Sequence, residues 1–340
     1  MPRAPDVTVV IPTKDRWDLL STAALPSALG QEDVDLEVVV VDDGSTDETS
    51  DHVVGLQDPR LRIVRHDRSL GVAQARNAGI RAANSDWIAF LDDDDVWAPR
   101  KLRLQLDTAA KNSADFVYGG AAAVAEDRSW LYSLPPFDPA GLRTTLLSRN
   151  VLWGGSSNVV VRTKIVRHLD GFDERLFQLC DWDLWIRLAV AGRAAVCREI
   201  LVGCLVHTRS MLLVSEDDVF REFAYLEAKH RRTSEEYGVA LDRGLFTRWV
   251  ALGHRRAGRR FRSALVYAEG AVSNRDPLNV LRALGALLGP RAVDSGHRRR
   301  QRHDGTPVDE SEPGWLARYR FADARSSAQA ISKASSPTES

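Results

Sequence analysis

Four short apolar runs near the start of this chain constrain its fold more than any other feature. Val7 to Ile11 is closed by Pro12, Leu36 to Val41 is closed by Asp42-Asp43-Gly44-Ser45, and Leu61 to Val64 and Trp87 to Leu91 follow at similar spacing. The first two read as strands covered on both faces. The intervening segments, about 16–29, 46–56 and 72–84, are helix-compatible. Such alternation predicts a parallel, doubly wound α/β sheet. Ser45 or Thr46 is expected to cap the second helix, with Asp47 and Glu48 in its first turn, where the helix dipole favours acids.

Farther along, Pro99 to Lys111 reads as a helix and Asp115 to Tyr118 as a strand. Ser129 to Pro139, with Pro135-Pro136, reads as a loop. Asn158 to Val161 is a strand candidate, and Asp181 to Ala191 an amphipathic helix. Ala194 to Ile200 and Gly203 to His207 read as closing strands. From Glu216 to about Leu288 only helical periodicity remains, broken by Gly238, Gly244, Gly258 and Asp276-Pro277. Beyond Pro290 the chain turns polar, which predicts disorder. The expected organisation is therefore an α/β domain over 1–212, a helical appendage over 213–290 and a tail over 291–340.

Composition closes off several classes. A net charge of −1 argues against general nucleic-acid binding, and 44% hydrophobic residues allow a sizeable core. Cys180, Cys197 and Cys204 show no C-x-x-C spacing, so neither a disulfide framework nor a zinc site is suggested. No stretch approaches the roughly 18 apolar residues of a spanning helix, and the N-terminus lacks a signal-peptide core. A cytoplasmic protein that meets cytosolic metabolites is expected.

The sharpest local feature is Asp92-Asp93-Asp94-Asp95 directly after the run Trp87–Leu91. In extended geometry Asp92 and Asp94 would present carboxylates to one side. Held so close, they call for an opposite charge, and a hard divalent cation such as Mn²⁺ or Mg²⁺ suits oxygen donors. Asp42-Asp43 also follows a strand, at the sheet edge where open α/β folds bind ligands. The competing reading is that the four acids cap the helix beginning near Pro99. Gly71 to Gly79 contains no G-x-G-x-x-G, so a dinucleotide fingerprint is absent. Arg76 within it is either a phosphate or base ligand or an ordinary surface arginine.

Taken together, Ile11-Pro12-Thr13-Lys14-Asp15-Arg16, Val41 to Asp47, Gly71 to Gly79 and Phe90 to Asp95 resemble the family 2 glycosyltransferases of GT-A fold. The likeness continues through Gly171-Phe172-Asp173-Glu174 and Cys180 to Ala189, covering residues 7 to about 210. It implies a doubly wound mixed sheet with a C-terminal helical appendage. It further implies a nucleotide pocket formed by Pro12, Thr13, Asp15, Asp42, Asp43, Arg76, Asp92 and Asp93, with Asp43, or else Asp42, on the base. Asp92-Asp93-Asp94 occupies the place of the family's D-x-D, making Asp94 and Asp92 metal ligands, and His207 resembles a late histidine that completes the metal shell. Asp181 falls on the position of the catalytic base, with Cys180 where the family has glutamate and Asp183 as the alternative base. Ser156 and Ser157 resemble an acceptor-side loop; Trp182 is either an acceptor-side platform or, with Trp185, core packing.

The implied reaction is a single displacement: Asp181 takes the proton of an acceptor hydroxyl, and a metal on Asp94 offsets charge on the departing diphosphate. The donor would be a nucleotide-diphosphate sugar, a UDP-sugar first, and the acceptor a glycan, lipid-linked or other hydroxyl in cell-surface or secreted glycan synthesis. Two other readings compete: a haloacid-dehalogenase-like phosphotransferase with Asp92 as nucleophile, and a non-catalytic glycan-binding protein of the same fold. Arg243 to Arg262, free of acids and carrying Trp249 and Phe261, reads as a basic amphipathic helix able to rest peripherally on the inner face of a membrane.

Overall fold

A computed structural model describes residues 4–206, 216–287 and 311–319. Among these the strands are β1 (Val7–Thr13), β2 (Leu36–Asp42), β3 (Leu61–Arg65), β4 (Trp87–Phe90), β5 (Val96–Trp97), β6 (Phe116–Val124), β7 (Trp130–Leu134), β8 (Val160–Arg162) and β9 (Ala194–Leu205). The helices are α1 (Trp17–Leu19), α2 (Leu25–Leu29), α3 (Thr49–Gly55), α4 (Val72–Ala82), α5 (Lys101–Asn112), α6 (Leu142–Leu146), α7 (Thr163–His168) and α8 (Cys180–Ala191). They continue with α9 (Glu216–Tyr237), α10 (Arg243–Arg256), α11 (Arg260–Ser273) and α12 (Leu278–Leu287).

The strands form one sheet in the order β3-β2-β1-β4-β8-β6-β9-β5, with β7 on β6. Pairings among β3, β2, β1 and β4 are all parallel, as the apolar runs predict, so their carboxyl ends share one edge. Antiparallel β8 between β4 and β6, and antiparallel β5 on β9, make the sheet mixed. Every residue of β1 is buried, as are Val38 to Val41 of β2. Helix α4 lies close on β1: a Cβ placed on Gly79 would stand 2.2 Å from a Val10 methyl.

Several local expectations are corrected. β6 extends through Gly119-Gly120 and three alanines because pairing with β9 and β7 supplies what intrinsic propensity lacks. The two closing strands expected over 194–200 and 203–207 are one strand, β9, which runs unbroken through Leu201 and Val202, and Trp130–Leu134 is a strand inside the expected loop. Neither Ser45 nor Thr46 caps α3, which starts at Thr49; their backbone N–H groups donate to Asp42 (2.8 Å) and Asp15 (2.6 Å).

The chain divides into two compact units. Among the described residues one comprises 4–143, 152–205 and 311–319, the other 144–151, 206 and 216–287. Within the first, Gly314–Tyr319, part of the segment read from sequence as a tail, forms a 3-10 turn. Its Leu316 is fully buried, and its Trp315 indole donates to the Ile200 carbonyl at 2.8 Å. Within the second, Asp242 caps α10 through Leu245 N–H, Phe223 stacks on Phe246 at 4.3 Å, and Gly258, at φ 73°, turns the chain between α10 and α11. The basic segment Arg243–Arg262 is therefore two helices rather than one. Among the described residues no helix is long and apolar enough to cross a membrane.

Candidate active site

The acidic turn leaves β4 at the edge shared by β1 and β2. It is not extended: Asp95 N–H donates back to the Asp92 carbonyl at 3.2 Å, so the chain folds over at Asp93-Asp94. Strict alternation therefore does not set the side chains, yet Asp92 and Asp94 remain partly exposed while Asp93 and Asp95 are buried. Helix capping does not account for the acids, since α5 begins at Lys101 with Arg100 before it and no side-chain cap bond.

Each acid has a defined partner. Thr13 Oγ1 donates to Asp93 at 2.8 Å, and Arg16 Nη1 reaches both Asp93 (3.1 Å) and Asp94 (3.2 Å). Arg76 Nη2 meets Asp92 Oδ1 at 2.5 Å. Ser157 Oγ donates to Asp95 at 2.6 Å and accepts the Asp92 N–H at 3.0 Å, while its carbonyl accepts the Trp97 indole N–H at 2.7 Å. Burial, with repulsion from Asp94, pushes the Asp93 carboxyl upward against the pull of Arg16. Asp95 is raised for the same leading reason, with Asp94 and Asp92 adding to it. With four acids against two arginines, burial and mutual repulsion favour the protonated form of the two interior carboxyls, Asp93 and Asp95.

Asp42 and Asp43 organise loops. Buried Asp42 accepts from Ser45 N–H and Ser50 Oγ. Asp43 accepts from His66 Nδ1 (2.8 Å), Ser69 Oγ (2.8 Å), Leu70 N–H (2.9 Å) and Gly71 N–H (2.9 Å), two donors on each oxygen. Burial acts to raise it, but these donors, led by His66, hold it below the usual carboxylate range. All four acceptor directions of the carboxylate are taken, so the expected contact from this acid to a nucleotide base has no vacant lone pair here. What Asp43 does is fix Leu70 and Gly71 at the start of α4, one turn before Arg76. Asp15, at φ 51°, accepts from Thr46 N–H and Asp47 N–H, joining the β1 loop to the β2 loop. Pro12 lies buried in β1 opposite Val41.

Arg76 is buried, which excludes the surface reading. Its Nη1 lies 3.5 Å from Cys180 Sγ and its guanidinium 5.3 Å from the centre of the Phe172 ring. Its Nε is buried without a partner. The Gly171-Phe172-Asp173-Glu174 segment docks on α4 through Asn77, which bonds Phe172 N–H (2.8 Å), the Phe172 carbonyl (2.9 Å) and Glu174 (3.0 Å).

Asp181 sits in the first turn of α8, where Leu179 rather than Asp181 holds the cap position. Its Oδ1 accepts Trp182 N–H at 2.6 Å, and its Oδ2 lies 3.3 Å from where a Cβ on Gly155 would be. Burial raises its pKa to about 6, opposed by Arg76 and reinforced by Asp92. Asp183, fully buried, pairs with Arg187 at 2.6 Å, and Trp182 and Trp185 are buried. The alternative base and the acceptor platform thus belong to the interior: α8 turns that face inward and leaves Asp181 half-buried at its start. Ser156 is also buried, and Ser157 braces the acidic turn rather than standing open to an acceptor. His207 lies outside the described residues. Arg16 and Cys204, whose thiol is raised by burial and then by Asp95, join the site beyond the residues that the resemblance implies. The signal in sequence for the former is a positive charge three residues past Thr13, where β1 ends at the ligand edge.

No group of three or more His, Cys, Asp or Glu side chains converges as a ready metal cage among the described residues. Asp92 and Asp94 do supply hard, partly exposed oxygens in an acid-rich turn. That donor set suits Mg²⁺ or Mn²⁺, which take one or two carboxylates and fill the rest of the shell with phosphate and water.

Residues 8–169 match the family model described as Glycosyl transferase family 2. The chain carries a family 2 glycosyltransferase domain. The succinoglycan biosynthesis protein ExoO of Rhizobium meliloti is 37% identical over 218 residues, 61% of this chain and 62% of that protein. WfgD of Escherichia coli, a UDP-Glc:alpha-D-GlcNAc-diphosphoundecaprenol beta-1,3-glucosyltransferase, is 34% identical over 113 residues, 33% of this chain and 44% of that one. The chain thus spans less than two thirds of the length of either relative. Among solved structures, S. aureus TarS 1-349 in complex with UDP-GlcNAc superposes with a TM-score of 0.55 at 18% identity, covering 97% of this chain and 91% of that one. The mannosyltransferase PcManGT from Pyrobaculum calidifontis, in complex with GDP-Man and Mn²⁺, gives 0.54 at 20% identity, covering 94% and 87%. At such identities the likeness speaks for the GT-A fold. The family 2 match also leaves the phosphotransferase reading of Asp92 without support, and three strand-helix units precede that acid in the domain.

Proposed function

We propose that this chain is an inverting glycosyltransferase that moves a sugar from a nucleoside-diphosphate sugar, a UDP-sugar first, to an acceptor hydroxyl in cell-surface or secreted glycan synthesis. The observation that carries the reading is the grouping of a half-buried carboxylate raised to about 6, Asp181, with Arg76 and the acidic turn. The names of the relatives favour a UDP-sugar and a polysaccharide or lipid-linked acceptor.

In this reading Asp181 Oδ2 accepts the proton of the acceptor hydroxyl while Trp182 N–H holds Oδ1. A value near 6 keeps the carboxylate ionised at neutral pH and basic enough to take a proton in the transition state. Arg76 and Arg16, anchored through Asp92, Asp93 and Asp94, place two cations beside the diphosphate and favour its departure. Asp94 and Asp92 would hold Mn²⁺ or Mg²⁺, which when bound supplies Lewis-acid stabilisation of the leaving phosphate. Thr13 and Ser157 keep the turn in register by their bonds to Asp93 and Asp95.

The test is a thermal-shift and nucleotide-release screen of UDP-, GDP- and dTDP-sugars with Mn²⁺ on the wild type, Asp181→Asn and Asp94→Ala. A donor that binds only the folded protein raises its melting temperature. Release should fall roughly 10²-fold to 10⁴-fold in Asp181→Asn with the donor shift kept, and the metal-dependent shift should vanish in Asp94→Ala. If both variants release nucleotide like the wild type, the site assignment is wrong; if the wild type binds donor and never turns it over with any acceptor, the non-catalytic reading stands.

A further inference from the structure

Helices α11 and α12 are built inside out for a soluble appendage. On α11, Phe261, Leu265, Ala268 and Val272, spaced i, i+4, i+7 and i+11, all face outward; Phe261 is 69% and Val272 82% exposed. That spacing is one continuous apolar stripe. On α12 the pattern is reversed from a normal amphipathic helix: Asn279 and Ala286 are buried, while Leu281 (65%) and Leu284 (58%) stand in solvent with Leu278, Val280 and Leu287. Of the sixteen exposed large apolar side chains among the described residues, eight lie on these two helices. Scattered exposed leucines need no explanation, but a concentration of this kind marks a binding surface.

The charges at its border say what the partner is. Arg259, Arg260 and Arg262 are exposed at the start of α11, and Arg275 in the connection to α12. No acid occurs between Arg243 and Ala268. Of the neighbouring acids, Asp276 is held by Arg282 at 2.7 Å, leaving Glu269 as the exposed counter-charge on α11. Arg243, by contrast, turns inward over the Phe220 and Phe223 rings, so the basic character that reaches solvent belongs to α11 and its flanks. Apolar side chains ringed by arginine match the interfacial layer of an anionic bilayer, where acyl chains lie beneath phosphate headgroups. A second copy fits less well, because self-pairing would bring like-charged rims together.

We infer that the outward faces of α11 and α12 form a docking surface for an anionic lipid bilayer. This stands apart from the sugar-transfer reading, because none of these side chains belongs to the candidate site. It also narrows the expected membrane contact over Arg243–Arg262 to the last residues of that segment and extends it along the apolar faces of α11 and α12.

The experiment is co-sedimentation of the full chain with phosphatidylcholine vesicles with and without phosphatidylglycerol. It compares the wild type with Leu281→Glu/Leu284→Glu and with Arg259→Glu/Arg260→Glu/Arg262→Glu, each checked for an unchanged melting temperature. Leu281 and Leu284 are 65% and 58% exposed and the three arginines are exposed, so a melting temperature within about a degree or two of the wild type qualifies each variant for the comparison, with Leu281→Ser/Leu284→Ser and Arg260→Glu alone as the milder substitutes. The wild type should pellet only with phosphatidylglycerol. The leucine variant should lose about tenfold in partitioning and the arginine variant about a hundredfold, with donor-induced thermal shifts intact in both. Equal pelleting of wild type and variants, or pelleting indifferent to phosphatidylglycerol, overturns the proposal. So does a wild-type dimer in sedimentation velocity that the leucine variant dissolves, which would give the face to a second copy. Loss of donor shifts in the wild type would count against the sugar-transfer reading alone.

Discussion

Arg76 and Asp92 meet at 2.5 Å across the gap between helix α4 and the acidic turn, one side chain buried and the other 33% exposed. Burial alone would oppose the charge on this arginine, yet with Asp92 beside it, and Cys180 next, its proton is held more tightly than usual. The contact is thus a tether between two elements that would both face the substrate. Arg76→Met should cost about 1–3 kcal/mol, below the figure for a wholly buried pair because Asp92 can turn to water. Urea denaturation measures that loss, and weakened donor shifts in the same protein would show that the tether also shapes the pocket.

A base that works ionised and titrates at about 6 predicts a definite pH profile. Below that value kcat/KM should fall about tenfold per unit as Asp181 takes up its proton, and above it the profile should flatten. Because Arg76 pulls the Asp181 value down, the residual activity of Arg76→Met should have its acidic limb displaced to higher pH. Asp181→Asn should lose roughly 10²-fold to 10⁴-fold in kcat at any pH. Initial-rate measurements from pH 5 to 9, about the range proteins tolerate, check all three.

Ser157 serves two acids with one hydroxyl. Ser157→Ala leaves buried Asp95 short of a donor and the Asp92 N–H short of an acceptor, which should cost about 1–3 kcal/mol. Ser157→Thr keeps the hydroxyl and should recover most of that stability if the added methyl finds room. Thermal melts of the two variants separate lost hydrogen bonding from crowding.

Helix α4 approaches β1 so closely that Gly79→Ala must displace Val10. Overpacking of this sort costs about 1–3 kcal/mol. Val10→Ala alone should also destabilise, by opening a gap beneath the helix, but the double variant should be more stable than the sum of the two predicts. A double-mutant cycle in urea would read the coupling directly.

The parts of this fold that announced themselves in sequence are those whose local chemistry and final environment agree. Val7–Ile11 and Val38–Val41 are apolar because they are covered on both faces, so their strands and parallel pairing could be read directly. Gly119-Gly120 hid the second half of β6, and nothing local to Leu201-Val202 told that the two expected closing strands are one, since both stretches are held by pairing with neighbouring strands rather than by their own residues. At the site, the acidic turn was recognisable, but its bend at Asp93-Asp94 was not, and alternation misdescribed how its side chains are set. Arg16 went unassigned because a charged side chain after a strand says nothing of which distant acid it will find. The inverted faces of α12 were invisible for a related reason: periodicity reports that a helix has two sides and not which one is turned to water.

Asp43 gathers four donors from one short stretch, residues 66–71, and that has a consequence for the range of conditions the site can bear. Its folded pKa is depressed, so the clamp contributes stability in full above the ordinary carboxylate value and is lost only as pH falls through the lower folded one. Mild acid would therefore silence Asp181 by protonation long before it loosened the start of α4. Inactivation near pH 5 should accordingly be reversed at once on neutralisation, with the scaffold around Arg76 never having let go.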